Sequence, residues 1–208
     1  MSNKDVPSPI DFHDPIQAKE WERKTIEKKP WRPQFFSAFV SVLNDCFPQP
    51  ISVLELGSGP GHLAEQLVHR CHIVRYVALD FSPAMHDLAR GRIGAAIDTV
   101  EYLERDFRLP DWPDGLGHFD AVITMQAAHE VRHKRHLQDF LVRARHCIAP
   151  EGLLLYCDHY FKPGDTKNPD LFFPLEDQST ALETAGFSKV RMLLDLEGMA
   201  LFAATNAK

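Results

Sequence analysis

The residues with the clearest chemical potential are three glycines, Gly57, Gly59 and Gly61, in the loop after an apolar run. Glycine lacks a Cβ atom, so the chain can turn sharply here and a ligand can lie against bare backbone. The apolar run, residues 53–56, predicts a buried parallel strand. A helix beginning near His62 would direct its free amide N–H groups at that ligand. The pattern is typical of a nucleotide-type site.

Two carboxylates beside this loop indicate a ligand that contains a ribose. Glu55 lies just before the first glycine, and Asp80 ends a second apolar run over residues 73–79. A carboxylate at the tip of that strand is placed to accept both hydroxyl hydrogens of a ribose, a feature that NAD and adenosyl cofactors share. The third glycine comes one residue too early for the dinucleotide pattern Gly-x-Gly-x-x-Gly, which disfavours NAD.

Two further segments with candidate binding residues follow along the chain. Asp106, with Phe107 beside it, comes after residues 100–105, and residues 119–124 form another apolar run that leads into residues 125–126. Together with the glycine loop and the two carboxylates, these segments resemble the motifs of class I S-adenosylmethionine-dependent methyltransferases.

The resemblance covers roughly residues 50–205, including a turn into a strand at residues 149–155 and the Ala-Gly-Phe sequence at 185–187. It implies a Rossmann-like α/β fold: a seven-stranded, mostly parallel sheet with helices on both faces, whose last two strands form an antiparallel hairpin. It also divides the chain into an N-terminal helical lid or extension, residues 1–50, and a class I methyltransferase core, residues 51–208.

The resemblance implies S-adenosylmethionine as the cofactor and assigns its binding to the glycine loop and the strand ends. The implied binding residues are Glu55, Gly57, Ser58, Gly59, Gly61, Asp80, Phe81, Met85, Asp106, Phe107, Met125 and Gln126. Glu55 would orient the cofactor's ammonium, often through water, and Asp80 would bind the ribose hydroxyls. Asp106 would accept from the adenine amino group, but it suits the cap of a local turn as well. Met85 would pack on the adenine, but it fits a place in the core equally well.

The residues after the fourth and fifth strands are the candidates for catalysis. Methyl transfer is an in-line displacement, so alignment and exclusion of water supply much of the acceleration. A hydroxyl or ammonium acceptor must also lose a proton. His129 is the first candidate base, since imidazole titrates near neutrality, and His159 and Asp158 come next. The alternative for His129 is a surface histidine without a role; Tyr160 and Phe161 either line the acceptor pocket or pack.

A competing motif overlaps the first of these histidines. Residues 129–133 satisfy the pattern His-Glu-x-x-His, which on a helix places two imidazoles one turn apart on a zinc ion. These residues directly follow the predicted fourth strand, where a loop or a first helical turn is expected rather than the middle of a helix. The chain has 11 histidines, so the short pattern arises easily by accident. We therefore expect no bound metal and no zinc hydrolase.

The elements that must position these residues begin with the N-terminal extension. Residues 1–13 are expected to be a flexible leader, Asp14-Pro15 predicts the start of a helix that runs to Lys28, and a second helix is predicted over residues 34–46. The aromatic side chains of this extension either form a lid over the crevice or only pack against the outer helices of the sheet.

The rest of the chain alternates strand and helix, which is typical of a parallel sheet with helices on both faces. Pro83 predicts a helix start, and further helices are predicted over residues 137–148 and 175–185. Residues 190–196 and 199–204 are separated by a turn so short that it permits only an antiparallel hairpin.

Composition and charge favour a small-molecule methyl acceptor. The chain of 208 residues is long enough to bury a full α/β core, and its formal net charge of −6 disfavours nucleic acid as a partner. Its basic clusters, Arg23-Lys24 with Lys28-Lys29 and residues 132–135, are expected to be solvated helix surfaces. The sequence leaves the oligomeric state open.

The sequence also predicts a cytoplasmic protein without a membrane partner. No apolar run approaches the roughly 20 residues that a membrane span needs, and the polar N-terminus does not resemble a secretory signal. The four cysteines, Cys46, Cys71, Cys147 and Cys157, lack paired spacing, which favours reduced thiols.

Three functions stay open at this point. The first is S-adenosylmethionine-dependent methyl transfer to a small-molecule acceptor. The second, an NAD-dependent oxidoreductase, is disfavoured by the glycine spacing and by the Asp106-Phe107 segment. The third is a non-catalytic protein that binds the cofactor and keeps the fold for interaction with a partner.

Overall fold

A computed structural model describes residues 4–94, 98–162, 164–165 and 167–206. The strands are β1 (Ile51–Leu56), β2 (Ile73–Asp80), β3 (Val100–Glu104), β4 (Phe119–Met125), β5 (Ile148–His159), β6 (Phe187–Leu196) and β7 (Met199–Asn206). The α-helices are α1 (Pro15–Lys28), α2 (Arg32–Cys46), α3 (His62–Arg70), α4 (Pro83–Ile93), α5 (Leu137–His146) and α6 (Leu175–Thr184). No helix in these ranges is both long and apolar enough to cross a bilayer.

The seven strands form one sheet in the order β3-β2-β1-β4-β5-β7-β6. The first five strands are parallel, and β7 lies antiparallel between β5 and β6. The predicted fold class, including the terminal hairpin, is confirmed. Strand order reverses between β1 and β4, which pair directly. In open α/β sheets a ligand binds beyond the carboxyl ends of the strands at this switch point.

Both faces of the sheet are covered, as a parallel sheet requires. One face packs against α5 and α6, with Phe140 and Leu182 fully buried. The other face packs against α2 and α3, with Phe35, Phe39 and Leu67 fully buried. The central strands β1 and β4 are mostly apolar because both of their faces are covered.

The helix starts agree with the capping signals in the sequence. Asp14 accepts hydrogen bonds from the N–H groups of Ile16 and Gln17, which satisfies two of the free donors at the start of α1. Helix α2 begins at Arg32, two residues before the predicted start, because Pro33 lies in the first turn, where its missing N–H is not needed.

The N-terminal segment, residues 5–13, is docked on the core, so the prediction of a flexible leader is wrong there. The Val6 N–H donates to the Arg132 carbonyl at 2.8 Å. The Arg132 guanidinium donates to the carbonyls of Val6 and Pro7, at 2.8 and 2.7 Å. At the other end of the segment, the Ser82 hydroxyl donates to the Phe12 carbonyl. The prediction that residues 132–135 are a solvated surface is also wrong for Arg132, which is buried.

We expect Arg132→Met to release this segment, because two carbonyls would lose a charged donor. Hydrogen bonds to charged groups contribute about 1.5–3 kcal/mol each, so cleavage within residues 5–13 should accelerate about tenfold or more. Limited proteolysis followed by mass spectrometry measures this rate. Arg143→Met, at a half-buried position on α5, is the control. Equal cleavage rates in Arg132→Met and the wild type would contradict the docking described above.

Candidate active site

A cleft of about 790 Å³, including its open mouth, lies at the carboxyl ends of the parallel strands. Most of the residues predicted for the site line it: Gly57, Ser58, Gly59, Asp80, Phe81, Met85, Phe107, Met125, Gln126, His129 and His159. Four residues of the N-terminal extension close it from the other side: Phe12, Trp21, Lys29 and Arg32. The cleft is therefore built jointly by the core and the extension.

The floor of the cleft is the loop between β1 and α3. Gly57 has a φ of +73°, and a Cβ atom there would lie 2.2 Å from the Ala127 Cβ. Gly59 has a φ of +54°, and a Cβ there would meet no atom within 4 Å, because it would project into open space. Both conformations favour glycine. Gly57 thus permits close packing of the loop on the chain after β4, whereas Gly59 leaves a bare backbone surface.

Asp80, at the end of β2, holds this loop in place. Its Oδ2 accepts from the Gly59 N–H at 2.8 Å, and its Oδ1 accepts from the Ser82 N–H at 2.9 Å. The side chain is only 6% exposed. Burial raises the pKa of Asp80, and the backbone N–H groups oppose this shift. Each oxygen retains a lone pair for a ligand hydroxyl.

Two polar side-chain atoms of the residues that line the cleft are buried without a hydrogen-bond partner. They are the Ser58 hydroxyl oxygen and the Nε of Arg32. Burial lowers the pKa of Arg32 to about 10 and outweighs the opposing effects of Cys157 and Glu55, so the guanidinium stays charged at neutral pH. A buried donor without a partner is costly unless a ligand satisfies it.

Four predicted site residues do not line the cleft. Glu55 lies in the core below the loop, is 2% exposed and accepts from the Tyr76 hydroxyl at 2.6 Å. Burial raises the pKa of Glu55 to about 8, against the effect of that hydrogen bond, so its carboxyl group is mostly protonated at neutral pH. Gly61 packs against α4, where a Cβ would lie 2.9 Å from the Ala89 Cβ.

The other two are Asp106 and Asp158. Asp106 lies in an adjoining pocket beside the N-terminal segment and forms an ion pair with Arg108 at 2.6 Å. It also accepts from the Arg108 N–H, so the local turn that the sequence left open is present. Asp158 is 1% exposed and lies behind His129. Its carboxylate therefore contacts that histidine and does not line the cleft.

His129 is held between two carboxylates. Its Nδ1 lies 2.8 Å from Asp158 Oδ1, and its Nε2 lies 3.4 Å from a carboxylate oxygen of Glu130. Its backbone N–H donates to Asp158 Oδ2 at 2.8 Å. Burial works to lower the pKa of His129, but Asp158 and then Glu130 outweigh it and raise the pKa to about 10. His129 is therefore an imidazolium at neutral pH, which is unfavourable for the predicted role of general base.

His159 has the opposite environment. Its Nε2 lies 2.9 Å from Lys29 Nζ and 2.9 Å from Gln126 Nε2. Both of these groups are donors, so Nε2 is the acceptor of a neutral ring, and Nδ1 lies 3.4 Å from the Gly198 carbonyl. Burial, and then the charge of Lys29, lower the pKa of His159 to about 3. Because their environments shift the two pKa values in opposite directions, His129 is the protonated ring and His159 the neutral one.

Gln126 adopts a left-handed backbone conformation, with a φ of 57°. Its N–H donates to the Cys157 carbonyl at 2.8 Å, which fixes the chain where it leaves β4. Residues held in such sparsely populated conformations cluster at functional sites. The turn brings the Gln126 amide next to His159.

Sequence reasoning missed Lys29 and Arg32. The prediction that Lys28-Lys29 is a solvated helix surface is correct for Lys28 and wrong for Lys29, which lines the cleft. Pro30 follows directly after Lys29 and prevents α1 from continuing as a regular helix. That proline was the available signal, but the partner of Lys29 lies 130 residues away in the sequence.

Tyr160, for which the sequence left both a pocket position and a packed position open, packs in the core, whereas Phe172, which the sequence did not single out, contacts the histidines. Tyr160 is 1% exposed and donates from its hydroxyl to Asp195 at 2.7 Å, so it packs rather than lining the cleft. Phe172 contacts both histidines, with ring centroids 5.1 Å from His129 and 5.9 Å from His159.

The His-Glu-x-x-His residues do not form an α-helical metal motif. Residues 128–131 make a 3₁₀ turn, and Arg132 then takes a left-handed conformation, so the two histidines are not on successive turns of one helix. His133 Nδ1 accepts from the Arg135 N–H instead. Across the described ranges, no group of three or more His, Cys, Asp or Glu side chains is arranged to hold a metal ion.

Comparison with known proteins shows that the core is similar to methyltransferases. Residues 53–152 match the family described as methyltransferase domain. A demethylmenaquinone methyltransferase of Deinococcus radiodurans is 42% identical over 74 residues, which are 35% of this chain and 30% of that protein. The chain spans only 4–5% of two fungal non-reducing polyketide synthases that it also matches.

Solved structures share the fold. The structure of a complex between the Haloferax volcanii Trm112 methyltransferase activator and a methyltransferase matches with a TM-score of 0.73 and 18% identity, covering 97% of this chain and 100% of that one. CalS10, an amino pentose methyltransferase of Micromonospora echinaspora solved with S-adenosylmethionine, matches with a TM-score of 0.68 and 18% identity, covering 84% and 91%. Residues 53–152, just under half of the chain, are thus similar to a methyltransferase domain, and the chain shares the Rossmann-like fold of these solved structures.

Alanine substitutions at Gly57 and Gly59 separate the cost of a positive φ from the cost of the close contact with Ala127. Both Gly57→Ala and Gly59→Ala carry the cost of a positive φ, about 1–2 kcal/mol. Only Gly57→Ala also forces a methyl group into Ala127, and overpacking of this kind costs about 1–3 kcal/mol more. Urea denaturation should therefore show a lower free energy of unfolding for Gly57→Ala than for Gly59→Ala. Equal values would contradict the close contact at Ala127.

The ion pairs of His129 predict a pH-dependent contribution to stability. Because its folded pKa of about 10 lies above the ordinary value of 6.5, this contribution is complete below about pH 6.5 and is lost as the pH rises towards 10. Breaking a buried pair costs about 3–5 kcal/mol. We expect His129→Gln to be destabilised by an amount in this range near pH 6.5 and by clearly less near pH 10, as measured by chemical denaturation.

The control for this measurement is His69→Gln, at an exposed position on α3. Its stability difference from the wild type should stay small and constant over the same pH range. A destabilisation by His129→Gln that does not change with pH would mean that His129 is neutral in the folded protein.

Proposed function

We propose that the chain is an S-adenosylmethionine-dependent methyltransferase that acts on a small-molecule acceptor by in-line displacement. The observation that carries the proposal is the hydrogen bond from the Gly59 N–H to Asp80. It places a carboxylate beside a bare glycine surface at the switch point of the sheet. This arrangement suits a ligand that has ribose hydroxyls and a chain that lies against the glycine backbone.

The unpartnered groups of the cleft fit this cofactor. The methionine part carries a carboxylate, which the buried Nε of Arg32 and the hydroxyl of Ser58 are free to bind. The ribose hydroxyls would donate to Asp80. Phe81, Met85 and Phe107 supply an apolar wall for adenine. The open space at Gly59 lets a ligand approach the backbone closely.

Two implied contacts need rearrangement in this proposal. Asp106 must turn from Arg108 to accept from the adenine amino group, while its neighbour Phe107 already lines the cleft. Glu55 lies below the loop and would act on the cofactor's ammonium through Ser58 or water rather than directly. Met125 and Gln126 line the cleft and would offer backbone carbonyls there.

The acceptor binds, in this proposal, beside the two histidines. When bound, the cofactor supplies an electrophilic methyl group on a positively charged sulfur. His159 replaces His129 as the preferred proton acceptor, because only its ring is neutral at physiological pH. His129 and Asp158 form a charged pair that holds the wall of the cleft, and Phe172 packs on both imidazoles.

The N-terminal extension acts as a lid in this proposal. Phe12, Trp21, Lys29 and Arg32 come from residues 1–50 and face the core across the cleft. A site closed in this way suits a small acceptor and excludes water from the reaction. The net charge of −6 disfavours nucleic acid as the substrate. The four cysteines are unpaired, which suits the proposed cytoplasmic location.

Asp80→Asn tests the proposed cofactor site. A hydrogen bond to a charged group contributes about 1.5–3 kcal/mol, so the dissociation constant of S-adenosylhomocysteine should rise about 10- to 100-fold. Isothermal titration calorimetry measures this, with Asp87→Asn, exposed on α4, as the control. The wild type should bind S-adenosylmethionine and S-adenosylhomocysteine but not NAD. Binding of NAD alone would overturn the proposal.

A further inference from the structure

Two positively charged side chains face the cleft without a carboxylate to pair with. Lys29 and Arg32 both line it, and within the described ranges neither lies within ion-pair distance of an acidic side chain. The Lys29 ammonium is bound instead to the neutral His159 Nε2, at 2.9 Å. Buried charges are normally paired, so this arrangement favours an anionic ligand.

The nearest buried carboxylate is not available to Lys29. Asp158 accepts from the His129 ring and from the backbone N–H groups of His129 and His159, at 2.7–2.8 Å. Burial, and then the charge of Arg32, lower the pKa of Lys29 to about 8, with Lys167 adding to this effect and Asp158 opposing it. The ammonium is therefore charged at neutral pH, and in the described part of the chain no paired carboxylate neutralises its charge.

The neighbours of Lys29 indicate what kind of anion fits. An amine acceptor in its cationic form would be repelled by Lys29 and Arg32. A carboxylate is already ionised at neutral pH and needs no proton acceptor, yet the neutral His159 lies directly beside the ammonium. A weakly acidic hydroxyl group uses both: one neighbour accepts its proton, and the other stabilises the oxygen anion.

We propose that Lys29 and His159 form the acceptor subsite and that the acceptor is a phenol or an enol bound as its anion. This proposal rests on the proposed function and specifies its substrate class. The Lys29 ammonium turns from His159 Nε2 to the acceptor oxygen, and the hydroxyl proton moves to the lone pair of Nε2. The oxygen anion then accepts a hydrogen bond from the ammonium.

Burial, and then the Lys29 ammonium, disfavour a proton on His159. The negative charge of the anion offsets the ammonium and pairs with the protonated ring. The Gln126 amide nitrogen, 2.9 Å from His159 Nε2, holds the ring in place while it is neutral and must turn away when Nε2 takes the proton.

The probe for this subsite is 4-nitrophenol, because its anion absorbs visible light and its neutral form does not. The wild-type protein is first saturated with S-adenosylhomocysteine, which calorimetry confirms separately. 4-Nitrophenol is then titrated at a pH where most of the free phenol is protonated. We expect a visible band of bound phenolate and a fall in the apparent pKa of the phenol by about one unit or more. The methyl ether, 4-nitroanisole, should compete weakly.

Variants assign this band to Lys29. Lys29→Met should abolish it, and Lys29→Arg, which keeps the charge, should retain it in part. Lys28→Met, at the exposed neighbouring position, should leave it unchanged. Thermal denaturation of each variant shows that the protein is folded. Retention of cofactor-product binding by Lys29→Met would separate the acceptor subsite from the cofactor site.

Two results would overturn the proposal: no phenolate band in wild-type protein that binds S-adenosylhomocysteine, or an equal band in folded Lys29→Met. A Lys29-dependent band in protein that binds neither S-adenosylhomocysteine nor S-adenosylmethionine would instead contradict the proposed function and leave the anion subsite intact.

Discussion

The hydrogen bond between Asp80 and the Gly59 N–H fixes the geometry on which the rest of the cleft depends. It joins the loop after β1 to the end of β2, and the same carboxylate accepts from Ser82 at the start of α4. Three elements thus meet at one buried side chain. Because a buried carboxylate is costly without its donors, the two loops hold each other in position. The glycines adopt the backbone conformations that these hydrogen bonds require.

The opposite end of the cleft is organised by charge. Asp158 holds His129 as a cation, whereas Lys29 and burial keep His159 neutral, although the two rings are only 6.1 Å apart. The extension supplies the lysine and an arginine, so closing the cleft also makes it electropositive. In the proposed function, this single element would both exclude water and recognise negative charge.

The sequence predicted the fold and most of the residues that line the cleft near the glycine loop, because both depend on local patterns. Apolar runs that end in glycines or carboxylates mark β1 and β2, and the short turn before β7 allowed only a hairpin. The acceptor side was predicted poorly because its properties depend on distant partners. The charge of His129 comes from Asp158, the exposure of Lys29 is limited by His159, and the burial of Glu55 depends on Tyr76. None of these pairings leaves a periodic signal in the sequence.

The central claim is that this cleft binds the adenosyl cofactor with its reactive end towards Lys29 and His159. A crystal structure with S-adenosylhomocysteine tests it most directly. The account predicts the ribose hydroxyls on Asp80 and the sulfur atom facing the space between Gln126 and His159. A bound molecule whose sulfur points away from His159, or whose ribose does not contact Asp80, would contradict it.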